Sequence, residues 1–244
     1  MATKTPPWRG HLWRLLALLL LSAVALQLYF VLRIALMAVV DPQSTPFQRS
    51  EIWRLATEQG RVLWSQAWRD RTRISPHLQR AVIASEDAGF NDHSGVEWDA
   101  LEKAWERNQR AEAVAARRKV EPKVVGGSTI SQQLAKNLFL SGERTAARKG
   151  QEFLITFMLE GLLSKPRILE IYLNSVEWGE GVFGAQAAAQ HYFHVEAHQL
   201  APAQAARLAV MLPAPKRFEQ RPGSPYLVHR AASITARMGA VPLP

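Results

Sequence analysis

Ser75-Pro76-His77-Leu78-Gln79-Arg80-Ala81-Val82-Ile83-Ala84-Ser85-Glu86-Asp87-Ala88-Gly89-Phe90-Asn91-Asp92-His93-Ser94-Gly95 is the stretch on which the reading of this chain turns. A serine followed at once by proline predicts a helix start, because the hydroxyl can cap and proline at the first helical position forfeits no needed N–H. Leu78, Val82 and Glu86 then fall at four-residue steps, so Glu86 continues the stripe of the two apolar residues. A carboxylate on the face a helix buries has its ionised form disfavoured. Its pKa should rise toward the range useful for proton transfer. A lone glutamate is ordinarily a local cap or ion-pair partner; the downstream sequence overturns that reading.

Gly126-Gly127-Ser128-Thr129-Ile130-Ser131-Gln132-Gln133-Leu134-Ala135-Lys136-Asn137 opens a second helix. Thr129 and Gln132 match a capping box, and Ile130, Leu134 and Leu138 supply a core stripe. Gln133, Lys136 and Asn137 share an adjoining face dense in amide and ammonium donors. A glycine-led helix start bearing hydroxyls can also hold an anion, and capping does not exclude that. A third helix carries Arg144, Arg148, Lys149 and Glu152, with spacings of four and three that bring Arg148 and Lys149 to Glu152. An exposed pair of that kind is worth only about 0.3–0.5 kcal/mol. Phe153, Phe157 and Met158 predict that much of this helix is buried, however, and three cations exceed what one carboxylate needs. The segment Ser164 to Asn174 starts with a serine cap and a proline and reads as architectural apart from Asn174. Trp178 to Gly184 is a glycine-rich turn, and the helix through Arg207 closes at Pro213 and Pro215.

The first forty of the 244 residues are unlike the rest. Leu15 to Leu32 is apolar except for Ser22 and Gln27, and after Arg33 the apolar run resumes through Val40, long enough to cross a hydrocarbon core. Lys4, Arg9 and Arg14 precede it and no acid appears before Asp41, which predicts an N-terminus in the cytoplasm. Ala23-Val24-Ala25 offers a cleavage-like triplet. The apolar run continues well past it, which favours an uncleaved anchor. The expected layout is a cytoplasmic end (1–14), an anchor (15–40), a connector (41–74) and a domain (75–244) on the far side of the membrane. In the connector Trp53, Trp64 and Trp68 either lie at the membrane interface or pack on the domain. The charged, alanine-rich stretch from Glu106 to Lys123, broken near Pro122, reads as a solvated helix or a mobile flap. Helical periodicity dominates and there is no internal repeat, so the domain is expected to be mainly α.

The chain carries a formal charge of +9, and beyond residue 41 there are 26 basic against 20 acidic residues, still a net of +6. Such a surface suits anionic headgroups or a phosphate-bearing substrate. It would also attract nucleic acid, but the anchor argues against that partner. Cysteine is absent, which excludes a disulfide framework and a thiolate metal site.

Four motifs in order, Glu86-Asp87-x-x-Phe90-x-x-His93-x-Gly95, Gly127-Ser128-Thr129-Ile130-x-Gln132-Gln133-Leu134-x-Lys136-Asn137, Arg148-Lys149-x-x-Glu152 and Lys165-x-x-Ile168-Leu169-Glu170-x-Tyr172-Leu173-Asn174, resemble the peptidoglycan glycosyltransferase family in its monofunctional, membrane-anchored form. The resemblance spans roughly residues 50–240. The Ser-x-x-Lys motif of the transpeptidase domain in larger relatives does not occur, so a monofunctional enzyme is expected. The resemblance implies a lysozyme-like helical lobe with a smaller membrane-proximal lobe. It implies lipid II as substrate, polymerised with inversion into β-1,4-linked glycan with release of undecaprenyl diphosphate. It implies a single-pass protein of the cell inner membrane with a periplasmic catalytic domain. Glu86 is then the candidate base on the acceptor 4-hydroxyl, and Lys136, Arg144, Arg148 and Lys149 the neutralisers of the leaving diphosphate. Ser128, Thr129, Gln132, Gln133 and Asn137 would line the cleft, with Asp87 and Phe90 also at the substrate. Glu152 could position the cations, help hold a divalent ion (magnesium or manganese) on the diphosphate, or handle a proton. Expected partners are lipid II, the growing strand, the bilayer and other cell-wall synthesis or division proteins. A lytic enzyme with the same fold is the rival reading, but it needs a general acid and no cation cluster. A tethered scaffold without activity is the other; it would show degraded motifs.

Overall fold

The computed structural model describes residues 7–60, 62–118, 126–140 and 145–244. Helix α1, Pro7–Leu36, carries the apolar run, and its Gly10–Leu36 portion is long and apolar enough to cross a membrane. Leucines from Leu15 to Leu32 are exposed along it, whereas Phe30, Ile34 and Met37 at its C-terminal end are buried.

The stretch expected as a connector is folded onto the domain. Thr45-Pro46-Phe47-Gln48 forms a full capping box that starts α2, Pro46–Gln59, with Leu55 buried. β1, Ser65–Gln66, pairs in parallel with residues Val182 and Phe183, and a 3₁₀ turn follows at Arg71–Arg73. Trp64 stacks on Phe183 at 4.6 Å and Trp68 packs against the core, so two of the three connector tryptophans pack on the domain; Trp53 is exposed.

Helix α3, Pro76–Glu86, starts as its sequence requires: the Ser75 hydroxyl accepts from His77 N–H and Pro76 stands at the first position. It runs to α4, Trp98–Arg118, which is mostly solvated and carries the exposed pair Glu106–Arg110. That agrees with the solvated-helix reading; the remainder of the flap candidate, 119–123, lies outside the described residues. α5 is Ile130–Phe139, α6 Ala146–Leu162 and α7 Lys165–Ser175. A hairpin of β2, Glu177–Gly179, and β3, Val182–Phe183, completes a sheet in the order β1-β3-β2. α8 (Gly184–Phe193), a 3₁₀ turn, α9 (Pro202–Met211), α10 (Pro215–Glu219) and α11 (Pro225–Met238) close the chain. The mainly helical expectation, with one apolar N-terminal helix, is borne out.

One core runs through the domain: α3 packs against α9 and α11, α5 against α6 and α7, and α1 against α6. Phe30 meets Phe139 edge-on at 5.4 Å, which joins the anchor to this core. Arg167 ties the anchor's exit to α7, donating to Met37 O at 2.8 Å and Asp41 Oδ1 at 2.7 Å, with Glu170 also bound and Trp68 beneath its guanidinium.

Candidate active site

Glu86 is the last residue of α3 and is half-buried. Gln133, on α5, donates from Nε2 to its Oε2 at 3.0 Å, and the Ser85 hydroxyl reaches Oε1 at 3.4 Å. Burial raises the Glu86 carboxyl above its ordinary range, although the Gln133 and Ser85 bonds and the Arg230 charge act against the rise. This is the raised carboxylate that the α3 stripe predicts.

Asp87 is committed to architecture. Its Oδ2 accepts from Ile130 N–H at 3.0 Å and its Oδ1 pairs with His93 Nε2 at 2.8 Å, so it ties the 87–95 loop to the start of α5. Gly95 N–H donates to His93 Nδ1, and Gly95 O accepts from the Thr129 hydroxyl at 2.6 Å. Gly95 has φ +91, and a Cβ there would stand 2.7 Å from Thr156 Cγ2, so only glycine fits. Phe90 is fully buried with Lys165 4.5 Å from its ring centroid, and it supports the loop from below. Phe90 and Asp87, expected at the substrate, are therefore interior groups.

The capping residues of α5 are interior as well. Thr129 and Gln132 form the predicted capping box, and both are buried. Their polar atoms serve the helix start rather than a cleft, apart from Gln132 Nε2, which is buried without a partner among the described residues. Asn137 is also buried, while Ser128 and Lys136 are exposed and Gln133 is half-buried against Glu86. Gly127 passes close to α4; a Cβ on it would meet Ala104 Cβ at 2.8 Å, which explains the glycine that opens the motif.

On α6, Glu152 is buried and binds Arg148 Nη1 at 2.9 Å and Lys149 Nζ. Lys149 also lies over Phe153, 4.9 Å from its centroid. Both carboxylate oxygens of Glu152 are therefore taken by cations. Arg144 lies outside the described residues. The burial predicted for this helix is met in part: Met158 packs against the core and Phe153 is half-buried, with Ile155, Thr156 and Leu159 inside, but Phe157 is 46% exposed and Leu154 49%.

Asn174, singled out within its segment, is buried and clamps the connector. Its Oδ1 accepts from Arg69 N–H and its Nδ2 donates to Arg69 O, each at 2.9 Å, while Glu170 accepts from Arg71 N–H. The polar group of α7 that turns toward Glu86 is Tyr172, whose hydroxyl donates to Gln133 Oε1 at 2.9 Å. Tyr172 and Arg230 were not among the expected site residues. The i+4 step from Ile168 places Tyr172 on the buried face, but no local signal names its partner.

The model of the transglycosylase family matches residues 56–239. This chain belongs to the transglycosylase family. Among its relatives, a biosynthetic peptidoglycan transglycosylase of Burkholderia thailandensis is 55% identical over 221 residues, covering 91% of this chain and 83% of the relative. Proteins of the same description from Paraburkholderia xenovorans and Herminiimonas arsenicoxydans are each 50% identical, over 229 and 236 residues, covering 93% and 97% of this chain and 91% and 98% of theirs. The membership bears out the four-motif resemblance and the expectation of a glycosyltransferase.

A divalent ion finds no ready cage in this transglycosylase. Among the described residues no three His, Asp or Glu side chains come together, and the one carboxylate beside the cations is already bound by them. The described residues do not form a protein-held cation site.

Proposed function

We propose that this protein polymerises lipid II into the β-1,4-linked glycan strands of peptidoglycan; the name its relatives carry, biosynthetic peptidoglycan transglycosylase, supports the building of glycan. The observation that carries the reading is the pairing, in one fold, of a half-buried carboxylate of raised pKa with two cations on a helix docked against the membrane anchor. Glu86 takes the proton of the acceptor 4-hydroxyl as that oxygen attacks the donor's anomeric carbon. The carbon–oxygen bond to the diphosphate breaks with inversion, and its electron pair leaves with undecaprenyl diphosphate. The leaving group needs charge neutralisation more than a proton, and Arg148 and Lys149 supply it, with Lys136 and Arg144 as further donors. Glu152, bound to both Arg148 and Lys149, acts by positioning them. No step here uses a metal.

The anchor holds the chain in the cell inner membrane with residues 1–14 in the cytoplasm and the domain in the periplasm. Trp98, Trp105, Leu154, Phe157 and Leu162 are exposed on α4 and α6, and Trp98 stacks on Phe153 between them. We infer that this apolar surface rests in the outer leaflet, where aromatic rings are favoured and where a lipid diphosphate is found. Other cell-wall synthesis or division proteins would meet the remaining surface.

Incubation of the purified chain with labelled lipid II, with products resolved by size, tests the proposal. Long glycan that disappears in Glu86→Gln is expected. Untouched lipid II together with shortened preformed glycan would make this a lytic enzyme instead. Identical polymerisation with and without chelator is the expected result for a metal-free step.

A further inference from the structure

Tyr172 is fully buried on α7, and its hydroxyl, Gln133 and Glu86 form a chain of two hydrogen bonds, 2.9 Å and 3.0 Å long. The direction of that chain is forced by its ends. An ionised carboxylate can only accept, so Gln133 must turn its NH₂ to Glu86 and its carbonyl to Tyr172, and the phenol must donate. Burial, with the charges of Glu86 and Asp87 added, pushes the Tyr172 hydroxyl well above its ordinary range, so it remains a donor.

We propose, resting on the reading of Glu86 as the base, that Tyr172 is a positioning residue: through Gln133 it holds Oε2 of Glu86 and leaves Oε1 as the oxygen that takes the acceptor's proton. Among the described residues Oε1 has only the Ser85 hydroxyl, at a long 3.4 Å, whereas Oε2 is engaged at 3.0 Å. When the acceptor O–H breaks and an O–H forms on Oε1, Oε2 becomes the carbonyl-type oxygen of a carboxylic acid. It still accepts from Gln133, so neither Gln133 nor Tyr172 has to move during the transfer. Preorganisation of this kind lowers the barrier because no group reorients as charge moves.

Loss of the phenol leaves the Gln133 carbonyl without its donor and the amide free to turn away. Glu86 then loses an N–H bond that favours its ionised form, and its pKa rises further. The test uses the full chain in proteoliposomes with labelled lipid II, measuring kcat and KM across pH. Tyr172→Phe should lower kcat about tenfold, the worth of one such hydrogen bond, with KM within about twofold, and should move the acidic limb of the rate profile to higher pH. Gln133→Leu should move the limb the same way, and the double variant should be no slower than Gln133→Leu alone. If Tyr172→Phe does not fold, as judged by circular dichroism, Gln133→Leu carries the pH test. An unmoved acidic limb in the folded variants, or losses that multiply in the double variant, would overturn the proposal. Glu86→Gln is measured alongside. Activity retained there defeats the reading of Glu86 as base, whereas an inactive Glu86→Gln with unmoved limbs elsewhere defeats only the role of Tyr172.

Discussion

Gln27 of α1 and Gln151 of α6 exchange two amide hydrogen bonds, at 3.0 and 3.1 Å. Arg14 and Arg33 flank the apolar run Leu15 to Leu32, and at 1.5 Å per residue they lie about 28 Å apart, close to the thickness of a hydrocarbon core. Gln27 then sits about 9 Å inside the level of Arg33, where a polar side chain needs a partner. Its partner is next in sequence to Glu152, so the amide pair holds the anchor to the helix that carries Arg148 and Lys149.

Replacing either glutamine alone should leave the other's amide unpaired. Gln27→Leu or Gln151→Leu should each cost about 0.5–2 kcal/mol of stability in detergent, and the double variant should lose less than the sum. Thermal unfolding of the three proteins checks this. Single variants as stable as the parent would show that the pair holds nothing.

Asp87→Asn tests the loop lock. Gly95 N–H donates to His93 Nδ1, so the ring proton sits on Nε2 and is given to Asp87 Oδ1, while Oδ2 accepts from Ile130 N–H. An asparagine offers one oxygen to two donors and sets its NH₂ against the other. A loss of about 1–3 kcal/mol in urea unfolding is expected, and an unchanged midpoint would speak against the assigned roles.

Glu86→Gln should separate stability from activity. The folded carboxyl binds its proton more tightly than the unfolded one, so its contribution to stability is present in acid and fades as pH rises through the raised folded pKa. The neutral amide escapes that loss. Polymerisation should fall at least about 100-fold, while the variant's melting temperature exceeds the parent's by a margin that widens from pH 4 to pH 8. A margin that narrows with pH would contradict the raised pKa.

Glu177 obeys the same sign. It is buried beside the Lys216 ammonium at 3.5 Å and pushed up to about 7, chiefly by burial, with Lys216 pulling it down and Glu51 adding to the rise. Glu177→Gln should match the parent near pH 5 and melt higher above pH 7. Equal melting temperatures across pH 5–9 would show that this carboxyl is not held protonated.

Elements with local signals were legible before any coordinates. Ser75-Pro76, the Thr129–Gln132 box and the Arg148–Glu152 spacing each depend on neighbours within four residues, and each stands as read. Thr45-Pro46-Phe47-Gln48 carries the same kind of signature inside the stretch expected as a connector, where scattered prolines, charges and tryptophans mask it. Phe157 illustrates a different limit. An apolar side chain that faces outward has the same composition as one that faces the core, so periodicity could not choose the buried face of α6. Phe90, Thr129 and Gln132 belong to the motifs, yet only packing tells interior support from a cleft wall. Tyr172 and Gln151 find their partners 39 and 124 residues away, beyond the reach of any local pattern.

Arg167 has a consequence for the order of events during synthesis. The anchor leaves the ribosome first, and the guanidinium that closes its last turn at Met37 and grips Asp41 is made some 126 residues later. Until Phe139, Gln151 and, last, Arg167 have emerged, none of these contacts can fix the apolar helix about its long axis. Its final azimuth is therefore chosen after translation of the domain's middle, by the side that the finished fold presents to it.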